Sequence, residues 1–354
     1  MMPRARLPRA KRRLFPAGNL SPPRMRRQKT ERKRMGTPLG KGRGDDWEID
    51  PGPPAAADRE KTVANLPAYV LITPARNEAD YIEQTLDSMV KQTVLPVRWV
   101  IVSDGSTDGT DEIVEKYAAK HAWIELVRMP ERTERHFAGK VHAFNAGYSR
   151  VKPLSFEVIG NLDGDISFPD DHFEFLLTRF SEDPHLGVAG TAFVESGSTG
   201  YNYDIVSIEH VSGQCQIFRR GCFEEIGGYL PIKGGGVDWT AVTTARMRGW
   251  KTRTFAERSF HHHRTMGTGN GTVLGSRFRF GRQDYYLGGH PLWELFRSVY
   301  HMKNKPYILG GVFLFSGYLW GALTGMERPI SGELVAFRRK EQMLRLRKIL
   351  FRSA

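Results

Sequence analysis

Short apolar runs alternate with stretches of helical spacing along residues 68–162. Residues 68–73 (AYVLIT) are an uninterrupted apolar run of the length of a buried parallel strand. Residues 78–91 then set Tyr81, Ile82, Leu86, Met89 and Val90 on one side of a predicted helix. Residues 99–102 (WVIV) predict a second strand, 110–119 a second helix, 124–127 a third strand, 140–149 a third helix and 156–162 (FEVIGNL) a fourth strand. Strands joined by single helices imply βαβ crossovers, hence an α/β fold with a doubly wound, mostly parallel sheet flanked by helices. The second half is less regular. Residues 187–194, 213–218 and 251–260 predict strands, and 238–248, closed by Gly249, predicts a helix.

Ligands of such sheets bind beyond the carboxyl ends of the strands. Three strand ends carry polar clusters: Pro74-Ala75-Arg76-Asn77-Glu78, then Asp104-Gly105-Ser106-Thr107-Asp108-Gly109-Thr110, then Asp163-Gly164-Asp165. Two carboxylates flanking a glycine repel, and one pKa rises unless a cation lies between them. A few hard oxygen ligands suit Mg²⁺ or Mn²⁺ bridged to substrate phosphates. A solvated Asp-Gly turn is the plain alternative. Thr107 or Asp108 can cap the following helix. Capping gives no reason for Asp104 at the very end of a buried strand, where a carboxylate meets a nucleobase edge or a ribose hydroxyl.

These clusters, with Gly139-Lys140, Asn145-Ala146-Gly147, Gly227-Gly228-Tyr229 and Gly235-Gly236-Val237-Asp238-Trp239, resemble the family 2 glycosyltransferases of the GT-A fold over residues 68–265. The resemblance implies a nucleotide-sugar donor, a UDP-sugar being the commonest in that family. It implies that Pro74, Ala75, Arg76, Glu78, Asp104 and Ser106 hold base and ribose. Lys140 lies near the nucleotide, Asp163 near ribose and metal, and Asp165 is the main ligand of Mg²⁺ or Mn²⁺. Asp238 matches the family's general base, with Trp239 beside it toward the acceptor. The chain departs from the family pattern at Val237, where Glu is usual, and at Thr240, where a second Asp is common. An N-cap role for Asp238 stands beside the catalytic one. The implied reaction is a direct, inverting displacement at the anomeric carbon.

Related enzymes often place a late histidine at the metal or diphosphate. Strand alternation sets His261 and His263 on one face and His262 on the other, and His263 is the expected ligand, against a plain surface histidine run. Arg277, Arg279, Arg282 and Tyr285 follow in a Gly-rich stretch that either grips a diphosphate or lipid phosphate or is a solvated basic loop.

The formal charge of +13 changes the picture only at one end. Residues 1–43 hold fifteen Lys and Arg against one acid, Glu31, which leaves the rest of the chain at net −1. Residues 1–60 read as a disordered basic tail, 61–290 as the GT-A domain and 291–354 as a C-terminal appendage. A basic arm can touch nucleic acid or anionic lipid, but no nucleic-acid-binding signature appears and no specific nucleic-acid partner is expected. Cys215 and Cys222 read as buried reduced thiols.

Residues 306–326 carry no charge and reach the length of a membrane-spanning candidate. Lys303 and Lys305 before them and Arg328, Arg338, Arg339 and Lys340 after them give no orientation, which favours a re-entrant or interfacial segment over a single span or a buried helix. Residues 334–351 predict a basic helix of the sort that lies on anionic lipid. The expected setting is the cytoplasmic face of a membrane, with a lipid-linked or glycan acceptor and non-processive action. A metal-dependent nucleotidyltransferase is the enzymatic alternative, although Pro74–Glu78 stands where such enzymes carry a Gly-rich basic loop.

Overall fold

The computed structural model describes residues 65–131, 137–195, 198–199, 206–264, 272–303 and 305–351, which belong to one compact unit. The expected 1–60 tail lies outside them. The first half follows the alternation of the sequence: β1 (Tyr69–Ala75), α1 (Ile82–Val90), β2 (Arg98–Asp104), α2 (Thr110–Ala118), β3 (Ile124–Met129), α3 (Phe137–Val151) and β4 (Val158–Leu162). There follow β5 (Ile166–Ser167), α4 (His172–Glu182), β6 (Leu186–Glu195), β7 (Ser198–Thr199), β8 (Cys215–Arg219), α5 (Arg220–Glu225), α6 (Val237–Met247) and β9 (Lys251–His262). All the strands join one sheet in the order β3-β2-β1-β4-β8-β6-β9-β5, with β7 on β6.

Alternation along β1 divides the core. Tyr69 and Leu71 face one apolar layer with Trp99, Leu86 and Phe173, whereas Val70 and Ile72 face the other with Val102, Phe144 and Phe218. β1 through β4 are parallel, and Ala75 pairs with Ser103 while Asp104 pairs with Met129, so their carboxyl ends lie level. The sheet stays mostly parallel, as expected, but beyond β4 it takes in reversed strands. β8 runs antiparallel to both β4 and β6, β6 and β9 are parallel, and β5 is antiparallel to β9. The reversal has a physical use: it carries the segment entering β8 back to the ligand end of β4, where the Asp163 N–H donates to the Gln214 carbonyl at 2.8 Å.

Four helices complete the unit: α7 (Val273–Tyr286), α8 (Pro291–His301), α9 (Ile308–Leu323) and α10 (Gly332–Phe351). Two of them lie where the sequence suggested a Gly-rich loop or gave no element. Glycine is a weak helix former in isolation, but in α7 and α9 it is the contact surface. A β-carbon built on Gly281 would lie 1.9 Å from the Leu314 carbonyl oxygen, and one on Gly317 would lie 2.0 Å from that of Phe278. The two helices cross backbone to backbone, which only glycine allows. α9 has 16 residues, a length of about 24 Å, and no helix among the described residues is long and apolar enough to cross a membrane. The single-span alternative for 306–326 is therefore corrected: the glycines are turned into protein, and the helix stops short.

α10 is pinned by buried charge. Arg338 donates to Asp284 Oδ1 of α7 and to the Leu287 carbonyl, and Arg297 of α8 lies 3.5 Å from the same Asp284 oxygen. Glu341 accepts both arms of the Arg246 guanidinium of α6, at 2.8 and 3.0 Å. Gly317→Ala should lower the stability of the unit by about 2 kcal/mol through overpacking. Gly221→Ala, at an exposed helical glycine with nothing within 4 Å, should be neutral or slightly stabilising. Paired thermal melts check both, and equal melting temperatures for the two variants would refute the backbone contact.

Candidate active site

The three polar clusters meet at the carboxyl edge of β1, β2 and β4. The first two loops are laced together by their own side chains. The Asn77 N–H donates to Ser106 Oγ at 3.2 Å, Asn77 Oδ1 accepts from the Thr107 N–H at 2.9 Å, and the Glu78 N–H donates to Thr110 Oγ1 at 2.9 Å. Asp108 takes the N–H groups of Ala79 and Thr110, so of the two capping candidates it is the one that ties the loops. Pro74 and Ala75 complete β1 against Val102 and Ser103. Arg76 reaches across to the buried Asp104, 4.0 Å away. Pro74, Ala75, Arg76, Glu78, Asp104 and Ser106 thus share one strand-end edge.

The second nest of charge surrounds Asp163 and Asp165. Asp163 Oδ1 accepts from the Lys140 ammonium of α3 and from Asn161 Nδ2 at 3.0 Å. Burial and the neighbouring Asp165 charge push Asp163 above its ordinary range while Lys140 pulls it down. Burial would also push Asp165 up, but hydrogen bonding to His262 and the Arg264 charge hold it low. His262 is itself raised: burial lowers it, and its contacts with Asp165 (Nε2 to Oδ2, 3.5 Å) and Glu195 (Nδ1 to Oε2, 3.0 Å) more than offset that. Glu78 is pushed up to about 7 by burial and then by Asp165, although Arg264 holds its carboxylate through both guanidinium arms.

Asp238 enters from a third direction. α6 begins at Val237 with Gly236 as its N-cap, in the left-handed region at φ +83°. Asp238 is therefore the second residue of the helix and not the cap, and its carboxylate stands at the positive end of the helix dipole, where an anion is favoured. Its side chain lies against Gly213: a β-carbon there would stand 2.8 Å from Asp238 Cβ and 2.9 Å from Oδ2. Lys140 feels Asp163, then Asp238, then Asp165, and its pKa is raised in spite of burial. One ammonium therefore sits among three carboxylates from two distant segments of the chain.

The placement differs from expectation at the histidines. His262, and not His263, presents its ring to Asp165. His263 turns Nε2 toward Ser167 Oγ at 2.9 Å, stacks on Tyr81 and reaches Asp165 only through its backbone N–H. The signal was present in β9: Phe260 is fully buried, and period-two alternation aligns His262 with it. Arg264, Glu195 and Asn161 also belong to the site and escaped sequence reasoning, since nothing local marks them. Trp239 lies under the Arg338 guanidinium, 4.0 Å from its ring centre. Arg282 lies on α7. Tyr285 is turned toward α9, against Tyr318 and Gly321 and beneath Arg328. Its neighbour Tyr286 is the one that touches the loop before Asp238, at the Gly235 carbonyl.

The donor set suits a hard divalent cation: Asp163 and Asp165 repel each other across Gly164 in a buried place. Among the described residues no group of three or more His, Cys, Asp and Glu is arranged to hold a metal ion alone. Two carboxylates with the remaining positions open to phosphate oxygens is the ordinary Mg²⁺ arrangement.

Residues 70–225 match the family model Glycosyl transferase family 2. The chain is 29% identical over 138 residues to the uncharacterized glycosyltransferase EpsJ of Bacillus subtilis, covering 39% of this chain and 37% of that one. It is 31% identical over 129 residues to a chondroitin synthase of Pasteurella multocida, 36% of this chain but 12% of the synthase. It thus spans well under half the length of these relatives. Its fold is similar to that of the mannosyltransferase PcManGT of Pyrobaculum calidifontis, solved with GDP-Man and Mn²⁺, with a TM-score of 0.51 and 21% identity over 80% of this chain and 82% of that one. The match to the Glycosyl transferase family 2 model thus spans β1 through α5, the part of the chain that holds Asp104, Asp163 and Asp165.

Proposed function

We propose that the protein transfers a sugar, with inversion, from a nucleoside-diphosphate sugar to a lipid-linked or polysaccharide acceptor at the cytoplasmic face of a membrane, UDP being the favoured nucleotide. The observation that carries the proposal is the convergence of Asp163, Asp165 and Asp238 around Lys140. Pro74 to Glu78, Asp104 and Ser106 offer the carboxylates, guanidinium and backbone groups that a base and ribose need at a strand-end crevice. That a relative is by name a chondroitin synthase supports a role in polysaccharide synthesis.

In this reading Asp238 takes the proton of the acceptor hydroxyl as that oxygen attacks the anomeric carbon. Its place at a helix N-terminus and against Gly213 fixes where that carboxylate stands. Lys140 stands between Asp163 and Asp238 and faces the leaving diphosphate as charge develops there. Asp163 and Asp165 would hold Mg²⁺ or Mn²⁺, which when bound offsets the negative charge of the departing nucleoside diphosphate. Arg264 fixes Glu78, and His262, held by Glu195, fixes Asp165. Much of the remaining acceleration comes from holding donor and acceptor in line.

A thermal-shift panel of UDP, GDP, dTDP and CMP, with and without Mn²⁺, tests the donor. UDP should stabilise most and only with metal, and Asp165→Ala should abolish the metal-dependent part. Stabilisation by none of the four nucleotides would sink the reading. Asp238→Asn should keep nucleotide binding and lower sugar transfer by roughly a hundredfold to ten-thousandfold, measured as nucleoside diphosphate released in the presence of a lipid-extract acceptor. Transfer that survives this change would remove Asp238 from the role of base. Gly213→Ala should displace the same carboxylate, leaving nucleotide binding intact while transfer falls by about a hundredfold.

A further inference from the structure

α9 is amphipathic in an inverted sense. Its inward face is built of Gly310, Gly311, Gly317 and Gly321 around Leu314 and Tyr318, packed on α7 and α8. Its outward face carries Ile308, Leu309, Val312, Phe313, Trp320 and Leu323, all exposed, Leu323 to 85%. Along α8, Leu292, Leu295 and Val299 continue the exposed apolar surface at i, i+3 and i+7. A helix in water turns large apolar residues inward. Small residues inside and large apolar ones outside is the packing of helices whose surroundings are lipid.

Charge agrees. Between Thr272 and Met326 there are two acidic residues, Asp284 and Glu294, and both are buried. Lys303 and Lys305, between α8 and α9, are exposed. The outer surface of this segment is therefore apolar with positive charge and no exposed carboxylate. Anionic headgroups would meet the lysines while acyl chains cover the apolar side chains. A helix of 16 residues can lie in such an interface and cannot cross it.

We infer that the outward faces of α8 and α9 form one docking surface that rests on an anionic lipid bilayer, with α9 lying in the interface. The surface ends beside the candidate active site. Gly321 packs on Tyr285, and Met326 and Ile330 join the cluster of Tyr286 and Leu287 that holds Trp239, the neighbour of Asp238. An acceptor that keeps a lipid tail in the bilayer could present its head to Asp238, and so the inference deepens the proposed function toward a lipid-linked acceptor and rests on it in that part only.

Flotation of the full chain with vesicles of phosphatidylcholine alone, and of phosphatidylcholine with phosphatidylglycerol, tests the surface. The wild type should float with both and more tightly with the anionic vesicles, with added salt weakening that excess. The double variant Leu309→Glu with Phe313→Glu should lose about a hundredfold in partitioning. Lys303→Glu with Lys305→Glu should lose roughly tenfold, on anionic vesicles only. Nucleotide-induced thermal shifts, unchanged in both variants, report that the fold persists. The inference is overturned if the wild type floats with neither vesicle, or if the Leu309 and Phe313 pair floats like wild type. It is also overturned if the wild type is a dimer that this pair turns into monomers without any vesicle binding, which would assign the surface to a second copy. Flotation as expected with no consumption of any nucleotide sugar would refute the proposed function and leave the docking surface standing.

Discussion

Like charges brought together in a buried place repel, and the architecture around β1, β2 and β4 is organised by that repulsion. Glu78, the Asp163 and Asp165 pair, and Asp238 come from three places in the chain, and each is held by a cation or dipole from elsewhere. Lys140 arrives on α3, His262 and Arg264 at the end of β9, and the N-terminus of α6 beneath Asp238. Removing one partner from such a group strands an uncompensated charge, which costs far more than the pair contributes when intact. The reversal of β8 between β4 and β6 is what makes the delivery possible. β8 returns the chain to the ligand edge beside β4, and β9 runs out to the same edge with its histidines and arginine.

The first half of the fold is legible because each element there has a single requirement. The strands are buried on both faces and read as continuous apolar runs, and the helices between them keep one apolar side. The clusters after β1, β2 and β4 are legible for a related reason: a polar residue at the end of a buried strand has no structural cause, so its presence points to a ligand. α7 was not legible. Its glycines look like helix breakers until the backbone of α9 is laid against them, and that is information carried by another segment 30 to 40 residues away. Glu195 and Arg264 were hidden similarly, since their roles come from pairing with His262 and Glu78 across long stretches of chain. That His262 and not His263 turns its ring to Asp165 follows from anchoring the alternation on the buried Phe260.

The C-terminal helices add a second layer of dependence. Asp284 is buried between Arg297 and Arg338 and held low by them although burial alone would raise it. Glu294, in the same nest, is pushed up to about 8 by burial and by the Asp284 charge, against the pull of Arg297. A nest so balanced favours one arrangement of α7, α8 and α10, and α9 is then seated by glycine contacts that tolerate no side chain. The apolar face of α9 is thereby presented in a fixed direction.

The grip of α10 on α6 has a consequence for handling the protein. Glu341 holds Arg246, and Arg338 lies on Trp239, one residue from Asp238. Cutting the chain ahead of its apolar segment at 306–326 discards both of those residues together with the exposed apolar side chains of α9. The shortened protein would keep the sheet and the strand-end edge of β1, β2 and β4, while the helix bearing Asp238 is released from the ties that Glu341 and Arg338 make to it. In such a fragment the position of Asp238 would rest on α6 and the sheet alone.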